Sequence, residues 1–434
     1  MKRKVTYIIS LILIYNFIFP LRLSLIPGSA YIILLPVILI FILRWNKGGV
    51  SFKTSDHPIK LLALSNITFV ALFFFATFSI VLSQSNDFVV FKVLFVFLFT
   101  ILISFILAYE VSLSDVKSSL EPKVIFERIA IISLIISVSV LLEVFFPIMK
   151  DIFNTVITKS SNINFDSGFR ASGLASSGGA AQSFGMSLCF IIILIGLRTL
   201  NLSFRSSSFF YVSAFLTLGA VFFVGRSGFI FCLLATLIFL IEILLASQLK
   251  VKLATLLGLL ISFSATVTAI EYLEPEVLNF FTTYSLELFN NFITTGEFKS
   301  KSTSHLSSMY FLPEAHHYIF GGGFYSAPLH GYLLPDPGVM KVLLAFGIFG
   351  FLFFYLFAGY YLLSLWMVIN KVTPRKSMLS AFAVFIFIVY EFKEPGLYQN
   401  YSFRLAMLLL FYLQFFLIFK SKKQCQTLKY LDDT

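Results

Sequence analysis

Two arginines sit in short stretches rich in glycine and serine between long apolar runs: Arg170 in Ser-Gly-Phe-Arg-Ala-Ser-Gly-Leu, and Arg226 in Val-Gly-Arg-Ser-Gly. Arginine keeps its charge at any relevant pH and grips two phosphate oxygens in a planar fork, which lysine does not. Small neighbours let a ligand or another helix come close to the backbone. A charged group costs at least about 2.5 kcal/mol at the centre of a bilayer, so arginines in tight turns belong near the membrane edge. A lipid-linked diphosphate headgroup sits at that depth, and it leaves readily if its departing charge is stabilised. Anion transport would use the same residues, and a purely structural arginine would snorkel to the headgroups.

A second cluster lies near the C-terminal end: Glu391, Lys393 and Glu394 in Tyr-Glu-Phe-Lys-Glu-Pro-Gly, then Arg404. Glu391 and Lys393 are two apart and share no helix face, so they need not pair with each other. Structural ion pairs at span ends are the alternative reading. Between the clusters, 271–338 is the only long stretch that is not strongly hydrophobic. It carries His305, His316, His317 and His330, the run Gly321-Gly322-Gly323, and Leu-Pro-Asp-Pro-Gly at 334–338. Pro335 and Pro337 stiffen the backbone around Asp336. The Asp336 carboxylate, or the His330 imidazole, beside a lipid phosphate could take a proton from a sugar hydroxyl. Asp336 reads equally well as the N-cap of the next helix, with Pro337 at the first helical position. Glu314, His316 and His317 raise the question of a metal. Adjacent histidines point apart on a helix and no HExxH-like spacing appears, so no metal site is expected. The three glycines permit positive φ and close backbone approach but lack the Walker or dinucleotide spacing.

The elements that must hold these residues are membrane spans. Of 434 residues 58% are hydrophobic and only 12% charged, and mean hydropathy is +0.93, which excludes an ordinary water-soluble domain. The net charge of +11 does not indicate nucleic acid, because the basic residues fall in short clusters between apolar runs. Cys189 and Cys232 lie inside spans and Cys425 in the tail, so no disulfide framework or cysteine metal site is expected. The Met-Lys-Arg-Lys start and the apolar run after it lack a clear small-residue cleavage site, which predicts an uncleaved first helix.

Run length predicts an all-α integral membrane protein of about twelve transmembrane helices with a large outward loop containing short helices. The spans fall near 5–25, 29–43, 61–82, 88–109, 124–149, 174–197, 208–224, 228–246, 253–272, 338–370, 378–392 and 402–419. The chain thus divides into nine spans with short loops (1–270), the loop (271–338), three more spans (339–420) and a tail (421–434). With the N-terminus inside, about twenty Lys and Arg lie in inner segments and about eight in outer ones. The positive-inside rule then places both termini in the cytoplasm and the loop outside. Glu143 and Glu242 fall within spans and read as candidate cavity groups. In the loop, apolar residues at helical spacing over 275–292 predict a helix on the outer leaflet or over a cavity mouth. A second short helix is expected within 303–319, bent or broken at Pro313.

The order of these features resembles the bacterial O-antigen and capsule repeat-unit polymerases of the Wzy type, relatives of the O-antigen ligases. Phe-Arg-Ala-Ser-Gly-Leu at 169–174, Val-Gly-Arg-Ser-Gly at 224–228, Ile-Phe-Gly-Gly-Gly-Phe at 319–324 and Gly-Ile-Phe-Gly at 347–350 carry the resemblance. A ligase usually has His shortly before that last span, where this chain has Asp336, with His330 farther back; that favours polymerase over ligase. The resemblance implies an inverting, metal-independent glycosyltransferase without a cofactor, working at the outer face of the bacterial cytoplasmic (inner) membrane. It would move a glycan from polyprenyl diphosphate onto an incoming lipid-linked repeat unit, building O-antigen, capsule or another exopolysaccharide. Arg170 and Arg226 would hold the leaving diphosphate, with Arg404 and Lys393 as helpers. Asp336 or His330 would be the base or position the acceptor, and Gly321, Gly322, Gly323 and Glu391 would lie close to substrate. The expected partners are the lipid-linked donor and acceptor, membrane lipids, a chain-length regulator and a flippase, and no nucleic acid. The alternatives are the ligase itself and a lipid-linked oligosaccharide flippase or other secondary transporter; the latter more often shows internal repeats and midplane charges.

Overall fold

The computed structural model describes residues 2–26, 29–47, 56–159, 171–176, 178–246, 287–297, 300–326, 336–397 and 401–432. Within them the chain is an all-α membrane protein. The first helices are α1 (Lys2–Ile18), α2 (Ser29–Ile32), α3 (Leu35–Asn46), α4 (His57–Ser83), α5 (Val89–Lys117), α6 (Lys123–Phe145) and α7 (Pro147–Val156). Next come α8 (Ala180–Thr199), α9 (Phe204–Val224) and α10 (Arg226–Ala246). The loop region holds α11 (Glu287–Thr295), α12 (Lys301–Ser308) and α13 (Ala315–Phe320), and the chain ends with α14 (Gly338–Val372), α15 (Met378–Glu391) and α16 (Tyr401–Asp432). Eight of these are long and apolar enough to cross a membrane: α4, α5, α6, α8, α9, α10, α14 and α16. The first, second and eleventh expected spans coincide with shorter apolar helices, and the expected span 253–272 lies outside the described residues.

In lipid, backbone polar groups must bond within their own segment, so helices are the form that apolar runs of this length adopt. Helix association then rests on close packing and interhelical hydrogen bonds rather than on apolarity. The central helices show both devices. A Cβ at Gly185 of α8 would strike Tyr401 of α16, and one at Gly196 would strike Phe210 of α9. Thr217 of α9 bonds Ser133 of α6 at 2.7 Å and accepts from Ser137 at 3.2 Å. Phe184 of α8 stacks on Tyr390 of α15 with ring centroids 3.9 Å apart. Large apolar side chains such as Leu356, Val70 and Leu237 face outward, as lipid contact requires.

Several buried charges are paired. At the end of the bundle where α5 finishes and α6 begins, Arg128 forks onto both Asp115 oxygens at 2.6 and 2.7 Å, and Tyr412 of α16 donates to the same carboxylate at 2.7 Å. Glu242, a candidate cavity group from its place in a span, instead accepts from Ser377 and from backbone N–H groups that open α15, and lies 3.2 Å from Arg198. Glu143 is likewise spent on structure. Its carboxylate receives Lys159 Nζ at 2.7 Å, the Ser172 N–H at 3.0 Å and the Gly173 N–H. Satisfying every oxygen in this way offsets the cost of taking a charge out of water.

In the loop, the helix expected over 275–292 falls mostly outside the described residues. The expected 303–319 helix is two, α12 and α13, with Pro313 in the extended link between them. α12 is opened by a capping box between Ser300 and Thr303.

Candidate functional site

Arg226 owes its place to the glycines around it. A Cβ at Gly228 would run into the Ser183 carbonyl of α8, and one at Gly225 would meet the Ser183 side chain. Both positions therefore need glycine for the α9–α10 turn to lie against the N-terminal part of α8. That close approach makes the turn short and leaves Arg226 as the first residue of α10.

From there Arg226 lines a cavity of about 330 Å³, inside the size range of small-ligand sites. The first turns of α10 supply Arg226 and Ser227, and α12 with its exit supplies His305 and Met309. Asp336 enters from the segment before α14, and Lys393 and Glu394 from just past the end of α15. Three residues singled out from sequence, Arg226, Lys393 and Asp336, thus come together from parts of the chain up to 167 residues apart. Lys393 donates to Ser227, which ties the end of α15 to the turn that bears Arg226. Arg226 Nη1 meets Glu287 of α11 at 2.6 Å, with side chains 12% and 19% exposed. The Arg226 guanidinium is therefore held by a carboxylate of the loop.

Beside the Glu287 pair, the Tyr310 hydroxyl donates to the Phe392 carbonyl and ties the loop to the end of α15. Within the loop, the Asp336 N–H points at Met309 Sδ at 3.3 Å. Asp336 is exposed. It is not the cap of α14: the helix begins at Gly338, Pro337 occupies the cap position, and no side chain caps it. The capping role read from sequence is thus corrected, because Pro337 already has extended backbone there and leaves Asp336 one residue too early. Lys341 lies near enough to Asp336 and Glu394 to interact with both electrostatically. Burial pushes the Glu394 carboxyl above its ordinary range, with Lys393 opposing the shift, and the Tyr390 hydroxyl donates to it at 3.0 Å.

The remaining candidates fall outside the described residues or do not line this cavity. Arg170 and His330 are outside the described residues. Glu391, expected close to substrate, is only 2% exposed, and its carboxylate accepts from Tyr355 at 3.0 Å, the Gly396 N–H at 2.7 Å and the Leu397 N–H at 3.1 Å. It braces the turn that presents Lys393 and Glu394. Gly321, Gly322 and Gly323 do not line the cavity either. Gly321 (φ +81°) packs on Ser79 of α4 and on Gly347, where α14 is broken by a positive φ of +66°. The Gly322 N–H donates to the Leu344 carbonyl freed there at 2.7 Å, and Ser85 reaches the Gly323 carbonyl at 3.0 Å. These glycines seat the loop on α4 and α14. Arg404, expected beside Arg226, lines a separate groove with Arg22.

Two residues of the cavity were undervalued from sequence. The sequence names His305 only as one of four loop histidines, and Glu394 only in a cluster that also reads as structural ion pairs. Neither has a local motif; only the tertiary fold brings them in. His316 and His317, expected to point apart, have ring centroids 3.8 Å apart. With Glu314 they place three ligand atoms within 4.8 Å of one another, on a helix that does not line the cavity. Burial lowers the His317 pKa, and His316 lowers it further.

Compared with known proteins, the chain matches no protein-family model and no curated protein.

Proposed function

We propose that the protein is a glycosyltransferase that joins polyprenyl-diphosphate-linked oligosaccharide repeat units, a polysaccharide polymerase of the Wzy type. The observation that carries the reading is the convergence of Arg226, Lys393, Asp336 and His305 on one cavity at the end of a multi-pass helix bundle. The cations suit a diphosphate, and a carboxylate and an imidazole in the same space suit deprotonation of a hydroxyl. The basic residues of 371–376, of 420–423 and around Lys117 and Lys123 crowd the opposite end of the bundle. That bias favours an outward-facing cavity and cytoplasmic termini in a bacterial inner membrane.

In this scheme the acceptor sugar hydroxyl attacks the anomeric carbon of the donor glycan from the face opposite the diphosphate. The new C–O bond forms as the C–O bond to the diphosphate breaks, and the electron pair leaves with polyprenyl diphosphate. Arg226 and Lys393 stabilise the charge that develops on the leaving oxygens. Asp336 takes the hydroxyl proton, or positions the acceptor for His305 to take it. The transporter reading is weakened by Glu143 and Glu242, whose carboxylates are both consumed by structural contacts.

The test is the lipid-linked glycan profile of a deletion strain carrying Arg226→Lys. Charge survives but the two-pronged grip does not, so most polymerisation is lost and single repeat units accumulate on the final acceptor. Polymer of normal length distribution in that strain would overturn the assignment of Arg226. Repeat units stranded inside would indicate a flippase, and polymer retained on the lipid carrier a ligase.

A further inference from the structure

We infer that the groove holding Arg404 and Arg22 is a second lipid-diphosphate site, the seat of the other lipid-linked substrate. This inference rests on the polymerase reading. Joining two lipid-linked repeat units requires two diphosphate heads to be held at once, and the Arg226 cavity has one set of cations. The second set stands apart from it, in a groove of about 370 Å³ walled by α1, α5 and α16. Arg404 lies in the first turn of α16, where its Nη1 donates to the Phe17 carbonyl at 3.2 Å and its guanidinium sits 6.0 Å from the Phe17 ring centre. Those contacts orient the guanidinium at the wall of the groove. Arg22, in the connection after α1, is exposed and lines the same groove.

The groove has a head and a tail. From the arginines it continues along Val96, Phe99 and Ile103, one stripe of α5 at i, i+3 and i+7. At 1.5 Å per residue that stripe descends about 10 Å into the apolar depth of the bundle. Phe99 is 57% exposed in this stripe, presenting its ring outward. A soluble anion would use the arginines and leave the stripe idle; a phosphate head on a hydrocarbon chain uses both. Two arginines also match the charge of a diphosphate better than that of a single phosphodiester, which points to the polyprenyl carrier rather than bulk phospholipid.

The experiment is native mass spectrometry of the full chain in detergent, titrated with polyprenyl diphosphate and, in parallel, phosphatidylglycerol. Wild type is expected to take up two polyprenyl diphosphates. Arg22→Gln, an exposed and structurally undemanding change, weakens the second by about ten-fold, and Phe99→Ala weakens it independently of charge. Arg226→Gln removes the first and spares the second. One diphosphate lipid per wild-type chain, a second whose uptake ignores Arg22 and Phe99, or phosphatidylglycerol filling the groove equally well would each sink the proposal. The two readings fail separately: glycan transfer with one lipid per chain refutes the groove, whereas two bound lipids without transfer refute the reaction.

Discussion

Glu287→Gln should strengthen, not weaken, the binding of a diphosphate lipid. Glu287 Oε2 lies 2.6 Å from Arg226 Nη1, so a phosphate that claims the same fork must first displace a carboxylate. With side chains 12% and 19% exposed, the pair is neither a surface pair nor a buried one. Surface pairs contribute about 0.2–1 kcal/mol, and breaking a buried one costs about 3–5 kcal/mol. An intermediate cost of about 1–2 kcal/mol follows, and removing it tightens binding by about five- to thirty-fold. The assay is equilibrium titration of the purified full-length chain in lipid nanodiscs with polyprenyl diphosphate. Glu297→Gln, an exposed carboxylate just beyond the end of α11, is the control and should change nothing. Unchanged or weaker binding in Glu287→Gln would show that the ion pair does not compete with the ligand. An equal gain in Glu297→Gln would show that only the general field had changed.

Asp336 does not cap α14, so Asp336→Asn should leave protein abundance at the wild-type level while polymer falls as far as in Asp336→Ala; near-normal polymer in the Asn variant would remove it as a base. Gly228→Ala forces a methyl into the Ser183 carbonyl and should cost about 1–3 kcal/mol by overpacking, read as a lower melting temperature together with loss of polymer. For Glu394 the sign is set by its raised pKa. Stability from the protonated carboxyl is fully present below the ordinary value near 4.5 and is lost as pH rises through the raised value. Glu394→Gln cannot ionise, so its melting temperature should gain on wild type as pH goes from 5 to 8; a gap that stays constant would contradict the burial.

The spans were legible because lipid leaves a long apolar run few other forms than a helix. The same economy made charges in the turns between apolar runs conspicuous, and Arg226, Lys393 and Asp336 do share a cavity. What stayed hidden is tertiary. Arg404, like Arg226, stands in the first turn of an apolar helix, and that is all a topology count reads; which side of the bundle each arginine faces depends on helix packing. Gly321–Gly323 looked like a ligand-binding run, since glycine marks close approach without saying to what, and here the approach is to the break at Gly347. Asp336 missed the cap by a single residue, a distance smaller than sequence patterns resolve. His305 and Glu394 carry no periodic or spacing signal and became visible only once α12 and the end of α15 were placed together.

The Glu143 clasp has an evolutionary consequence. Lys159 on one side and Ser172 and Gly173 on the other meet on one carboxylate, so the stretch between them begins and ends at a single fixed point. Doubling the length of a chain closed in this way costs only about 0.6 kcal/mol. A change in chain length beyond Lys159 and ahead of Phe169 therefore leaves the anchored ends, and the helices that carry them, where they are. A bundle anchored like this keeps its helix packing while the stretch between the two clasped ends varies in length.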